Sequence, residues 1–122
     1  MDAFPRRLVV IDDDDHLLQS MRFAFEAEGY LVTTFASGEE ALKAPPRDPH
    51  TCLVVDARLP GTSGLDTIAQ LRRLGVAAPA ILITTNPSQA ERRRAGATGV
   101  SIVEKPLLGD ALGKTIAALL GS

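Results

Sequence analysis

Short apolar runs alternate along the chain with stretches whose apolar residues recur every three or four positions. RLVVI (7–11) is continuous and β-branched, the pattern of a strand covered on both faces. YLVTTF (30–35), CLVVD (52–56), AILITT (80–85) and VSIVE (100–104) read as four more strands. Between them, Leu17, Leu18, Met21, Ala24 and Phe25 repeat at helical spacing up to Gly29. Leu65, Ile68, Ala69, Leu71 and the stem of Arg72 do the same up to Gly75. SGEE (37–40) predicts a capping box, with Ser37 as N-cap and Glu40 returning to its backbone N–H, opening a short helix that ends before the loop PPRDP. A fourth helix is expected in PSQAERRRAGATG (87–99), almost without an apolar stripe. LLGDALGKTIAALL (107–120) predicts a fifth, weakened by Gly109 and Gly113.

Five strands alternating with five helices make a doubly wound parallel α/β sheet, and no internal repeat interrupts the pattern. Right-handed crossovers place the functional crevice of such a sheet at the carboxyl ends of its strands, beside the switch in strand order. Four groups of side chains arrive at that edge. Asp12, Asp13, Asp14 and Asp15 follow the first strand, and Asp56 ends the third. Thr84 and Thr85 end the fourth, and Lys105 follows the fifth.

Composition narrows the class. The 122 residues are 45% hydrophobic and 23% charged, which suits one soluble globular domain spanning 1–122. No apolar run reaches the length of a membrane span, and MDAFPRR lacks the apolar core of a signal peptide. The single cysteine, Cys52, has no internal disulfide partner, which fits a reducing cytoplasm, and its place in TCLVV predicts a buried packing residue. A net charge of −2 gives no general attraction to nucleic acid or membranes, so direct DNA binding would need another domain.

Several carboxylates meeting in a shallow site suit a hard divalent cation, and Mg2+ favours one or two carboxylates with retained waters. A carboxylate can also act as nucleophile toward phosphorus. Phosphoryl transfer requires little beyond alignment and neutralisation of charge on the phosphoryl oxygens, which a metal, a lysine and a hydroxyl supply.

The motifs VIDDDD, VVDARLPGTSGLD, LITT and VEKPL, in that order, resemble the receiver domain of two-component response regulators across nearly the whole chain. The resemblance implies a flavodoxin-like sheet of order 2-1-3-4-5. It implies that Asp56 is the phosphoacceptor and that Asp13, Asp56 and the backbone carbonyl of Arg58 hold Mg2+, with Asp12 acting through water. Lys105 would pair with Asp56 and then with its phosphoryl group, Thr84 would hydrogen-bond a phosphoryl oxygen, and Pro106 would follow Lys105 in a cis bond. Expected partners are a sensor histidine kinase or a phosphotransfer protein, with a homodimer possible on phosphorylation and no membrane contact. The output would be transcription through a domain outside this chain, or, for a stand-alone receiver, protein–protein contact or phosphorelay. The domain would be no enzyme beyond its own phosphoryl transfer and autodephosphorylation.

Other readings remain for individual residues. Asp14 and Asp15 suit a turn or N-cap, His16 a solvated first turn, and His50 a loop. Thr85 replaces the small residue usual in the family and would narrow access to Asp56. Arg92, Arg93 and Arg94 form either a solvated face or a docking patch. The family's aromatic switch position falls on Ile102, and no aromatic residue follows Phe35. A Mg2+-dependent aspartyl-phosphate phosphatase of the haloacid-dehalogenase type needs a second aspartate two residues after the nucleophile, where Arg58 stands. A calcium loop needs a glycine that DDDDHLLQSM lacks.

Overall fold

Ten elements alternate in the computed structural model, which describes residues 5–107 and 109–121. They are β1 (Arg7–Ile11), α1 (Asp15–Ala27), β2 (Leu31–Phe35), α2 (Gly38–Lys43), β3 (Thr51–Asp56), α3 (Gly64–Arg73), β4 (Ala80–Thr84), α4 (Gln89–Ala97), β5 (Ser101–Glu104) and α5 (Ala111–Leu119). The strands form one parallel sheet of order β2-β1-β3-β4-β5. This is the flavodoxin-like, doubly wound arrangement expected. Every residue of β3 and β4 is buried, so their unbroken apolar runs reflect coverage on both faces.

Strand alternation divides the core in two. Val9, Ile11, Leu53, Val55 and Leu82 point to one face, where Ala41 of α2, Leu65, Ile68 and Leu71 of α3, and Ala95 of α4 cover them. Leu8, Val10, Cys52, Val54, Ile81 and Ile83 point to the other, under Leu18, Met21 and Phe25 of α1 and Leu112 and Ile116 of α5. Cys52 is fully buried, and loss of hydration pushes its thiol up to about 12, so it packs as a small apolar residue. No helix among the described residues is long and apolar enough to cross a membrane.

The caps differ from expectation in two places. Ser37 accepts from Glu40 N as predicted, but the full reciprocal box opens α4, where Ser88 and Glu91 exchange bonds. The S-x-x-E pattern occurs at both helices, and spacing alone does not tell them apart. The last helix begins at Ala111 rather than 107, because Gly109 adopts φ +70 and Asp110 becomes the N-cap position. Leu108, within that predicted span, lies outside the described residues.

Gly64 opens α3 against the end of β3, where a Cβ would run into the Asp56 carbonyl oxygen and Ala57 Cα. Gly64→Ala should therefore lower stability by about 1–3 kcal/mol, the usual range for an overpacked contact. Urea titration measures it. An unchanged midpoint would mean that the Asp56 backbone yields freely.

Candidate functional site

Because all five strands run parallel, their C-terminal ends deliver side chains to one edge. Asp12 and Asp13 follow β1, Asp56 closes β3, Thr84 closes β4, and Lys105 follows β5. Backbone bonds continue the sheet just past the strand ends. Asp12 N donates to Phe35 O (3.1 Å), Ala57 N to Ile83 O (2.8 Å), and Lys105 N to Thr84 O (2.8 Å). The site thus stands on the sheet rather than on free loops. The Lys105–Pro106 bond is cis.

Each of the three carboxylates of Asp12, Asp13 and Asp56 places an oxygen within 4.8 Å of the others. Asp12 and Asp56 are buried, whereas Asp13 is exposed. The Lys105 ammonium lies 3.6 Å from Asp56 Oδ1 and 4.0 Å from Asp12 Oδ2. Asp12 Oδ1 accepts from Asp14 N (2.9 Å), and Asp56 Oδ1 accepts from Arg58 N (3.3 Å). At this edge, Asp12 Oδ2 and Thr84 Oγ1 are buried without a hydrogen-bond partner among the described residues. Buried polar atoms are normally satisfied, so these two leave hydrogen-bonding capacity open beside the carboxylates.

Desolvation is the main reason that the Asp12 carboxyl rises from 3.8 to about 6. The Asp14 N–H opposes the rise, Asp56 adds to it, Lys105 opposes it and Asp13 adds the last part. Three carboxylates face one ammonium. A small oxygen-seeking dication fits this donor set, which offers carboxylate oxygens and an Asp12 Oδ2 that accepts no hydrogen bond.

The other residues singled out from the sequence lie apart from the cluster. Asp14 is the N-cap of α1, accepting from His16 N and Leu17 N, and Asp15 sits exposed in the first turn. His16 and Thr85 are exposed. His50 occupies a loop at φ +59, where its carbonyl accepts from Arg7 N. Arg94 binds Asp66 of α3 (2.6 Å), and Arg92 approaches Glu104 of β5 (3.7 Å), so two members of the arginine run bridge α4 to its neighbours. Ile102 is half-buried against the α3 side of the core.

Sequence reasoning missed Glu39. Its Oε2 accepts from Thr62 N (3.0 Å) and Thr62 Oγ1 (2.9 Å), tying α2 to the loop after Asp56. Nothing in the chain announces a contact between residues 23 positions apart. A hollow of about 440 Å³ lies at the opposite edge of the sheet, among Pro46, His50, Val76, Pro79 and Leu120, far from the acidic cluster.

A family model described as "Response regulator receiver domain" matches residues 8–117. Nodulation protein W of Bradyrhizobium diazoefficiens is 37% identical over 100 residues, 80% of this chain and 43% of that protein. The transcriptional regulatory protein FixJ of Azorhizobium caulinodans is 34% identical over 92% of this chain and 54% of its own length. The chain thus spans about half the length of these relatives. Full-length FixJ from B. japonicum superposes with a TM-score of 0.83 at 27% identity, covering 94% of this chain and 57% of that one. The chemotaxis protein CheY4 of Vibrio cholerae, at 23% identity, shares the fold with a TM-score of 0.84 over 93% of this chain and 98% of that one.

The pH dependence follows from Asp12. Its carboxyl titrates near 3.8 when unfolded and near 6 when folded, so the folded state binds more protons between those values. Its stabilising contribution is complete below pH 4 and is lost as pH rises through 6. Without metal, Asp12→Asn should therefore stabilise the fold at pH 7 by on the order of 2–3 kcal/mol and match wild type near pH 4. Urea melts in chelator across that range measure the difference, and parallel curves would show that burial does not perturb Asp12.

Proposed function

Because this chain belongs to the response regulator receiver domain family, we propose that residues 1–122 act as one phosphorylation-dependent signalling receiver. Asp56 takes a phosphoryl group from a sensor histidine kinase or a phosphotransfer protein in the cytoplasm. The observation that carries this reading is the surroundings of Asp56. It is a buried carboxylate with an ammonium at 3.6 Å, two further carboxylates beside it, and an unpartnered hydroxyl, Thr84, at the same sheet edge.

The chemistry asks little of the protein. An Asp56 oxygen forms the bond to phosphorus as the P–N bond to the donor imidazole breaks, its electron pair returning to nitrogen. Lys105 holds the Asp56 carboxylate in place and then meets the charge of the phosphoryl oxygens. Mg2+ would be held by Asp13, Asp56 and the Arg58 carbonyl, with Asp12 acting through water, and when bound it supplies positive charge to those oxygens. Thr84 Oγ1, now without a partner, donates to a phosphoryl oxygen in a charge-assisted bond. Water later cleaves the acyl phosphate at the same site, so the domain catalyses only its own loading and unloading. The names of FixJ and similar relatives favour transcription as the output, through a domain beyond the matched region, with dimerisation on phosphorylation as one means of coupling.

A small phosphodonor with Mg2+ should produce an acid-labile phosphate on Asp56 alone. Asp56→Asn should abolish it, and full labelling of that variant sinks the assignment.

The structural response should travel through α4. No aromatic ring is available beyond Thr84, and α4 buries only Ala95. Hydrogen exchange with and without a phosphoryl mimic should change most between Thr85 and Val100, with little change in α1. Changes confined to α1 or α5 would overturn this route.

A further inference from the structure

The loop 57–63 joins β3 to α3 and carries the main chain that flanks Asp56. Its inner end is well anchored. Ala57 N reaches Ile83 O (2.8 Å), Gly64 N reaches Ala57 O (3.1 Å), and Arg58 N reaches Asp56 Oδ1 (3.3 Å). Its outer end closes with Ser63, the N-cap of α3, which accepts from Asp66 N. Between these anchors runs an exposed turn at Pro60 and Gly61, with Gly61 at φ +76. Glycine adopts that conformation without strain, but it also gives the free chain more alternatives.

Besides Asp56 at the end of β3, one side chain from outside this loop hydrogen-bonds it among the described residues, and it is Glu39. The same carboxylate oxygen takes both the backbone N–H and the hydroxyl of Thr62. It also fills the space that a Cβ on Gly61 would need. Glu39 itself is firmly presented. Ser37 caps its helix, and the neighbouring Gly38 lies so close to Thr67 Oγ1 of α3 that no Cβ fits between them. A continuous set of contacts therefore runs from α3 through the start of α2 to Thr62, and along the loop to Arg58 beside Asp56.

We propose that Glu39 is a positioning residue of the Asp56 site, holding the β3–α3 loop through Thr62 and thereby fixing the Arg58 main chain beside the phosphoacceptor. The inference rests on the reading of Asp56 as phosphoacceptor with a divalent cation beside it. A carboxylate ligand finds a cation by charge, whereas a backbone carbonyl must be aimed by the conformation of its loop. A loop released at Thr62 samples states in which the Arg58 carbonyl is turned away, and apparent affinity falls with the competent fraction. The chemistry on a loaded site is untouched.

The test compares wild type, Glu39→Ala and Glu39→Gln. Alanine removes the acceptor while keeping the highest helix propensity, and glutamine controls for the lost first-turn charge. Glutamine keeps an oxygen that can accept from Thr62. In the metal-free protein, amides of 58–62 should exchange faster in Glu39→Ala and at the wild-type rate in Glu39→Gln. Calorimetric titration with MgCl2 should show affinity lowered about threefold to tenfold in Glu39→Ala, as a competent fraction of a third to a tenth requires. Asp56 labelling by a small phosphodonor should then need more Mg2+ yet reach the wild-type rate at saturation, and Glu39→Gln should restore the wild-type requirement. If wild type binds Mg2+ and is labelled but Glu39→Ala matches it in exchange and affinity, the inference is overturned and the receiver reading stands. A faster-exchanging loop with unchanged Mg2+ affinity overturns it equally. A wild type that neither binds Mg2+ nor is labelled overturns both.

Discussion

Three carboxylates share a sheet edge with a single ammonium, and two of the three are buried. Like charges this close raise one another's cost of ionisation, and burial removes the water that would screen them. The lysine offsets part of this, at 3.6 Å from Asp56 and 4.0 Å from Asp12, but it is one charge among three. Left alone, the site is a local weakness, most visibly at Asp12, whose carboxyl is pushed up to about 6. The same repulsion becomes useful when positive charge arrives. A fold optimised only for stability would replace Asp12 with an apolar residue, so its presence is itself an argument for a charged ligand.

The sheet makes such a weakness tolerable. β3 and β4 are buried along their whole length and lie at the centre of the site. Thr84 and Lys105, the two residues proposed to meet the phosphoryl group, are joined through Lys105 N and Thr84 O. Local repulsion is therefore opposed by a core in which Leu53, Ile81 and Leu82 are fully buried. Strain is confined to side chains at the rim, and the backbone that aims them is held by strand pairing.

Much of this was legible in the chain because the signals are local. Each site residue directly ends or follows an apolar strand, and a parallel sheet then fixes where they meet. The unequal burial of Asp12 and Asp13 was less legible, although strand alternation sends neighbours to opposite sides; the sequence gives equal weight to each aspartate of DDDD. The reciprocal half of the capping box expected at Ser37 is found at Ser88 instead, because both serines precede a glutamate by three residues and only Glu91 returns to its N-cap backbone. The bridges Glu39–Thr62 and Arg94–Asp66 were invisible, since surface polar residues 23 and 28 positions apart carry no periodicity that pairs them. Contacts of this kind come from tertiary placement.

The arginine run shows what such placement can do. Its residues read first as a solvated face, with a docking patch as the alternative, and the structure gives two of them a third role. Arg94 ties α4 to Asp66 of α3, and Arg92 ties it to Glu104, the residue before Lys105. With Ala95 as its one buried side chain, α4 sits on ion pairs where its neighbours sit on apolar stripes. Exposed ion pairs contribute about 0–1 kcal/mol each, so the helix rests in a shallow well. A hydrogen bond to a charged group is worth about 1.5–3 kcal/mol, which is comparable with everything the two bridges supply. Thr84 is separated from the α4 N-cap, Ser88, by three residues, and one of them, Asn86, stands at φ +53. Under the proposed phosphorylation of Asp56, a rotation of the Thr84 hydroxyl toward a phosphoryl oxygen would act on a short, already constrained connection to a weakly held helix. In this chain, aromatic repacking is not needed to explain how an event at Asp56 reaches the surface.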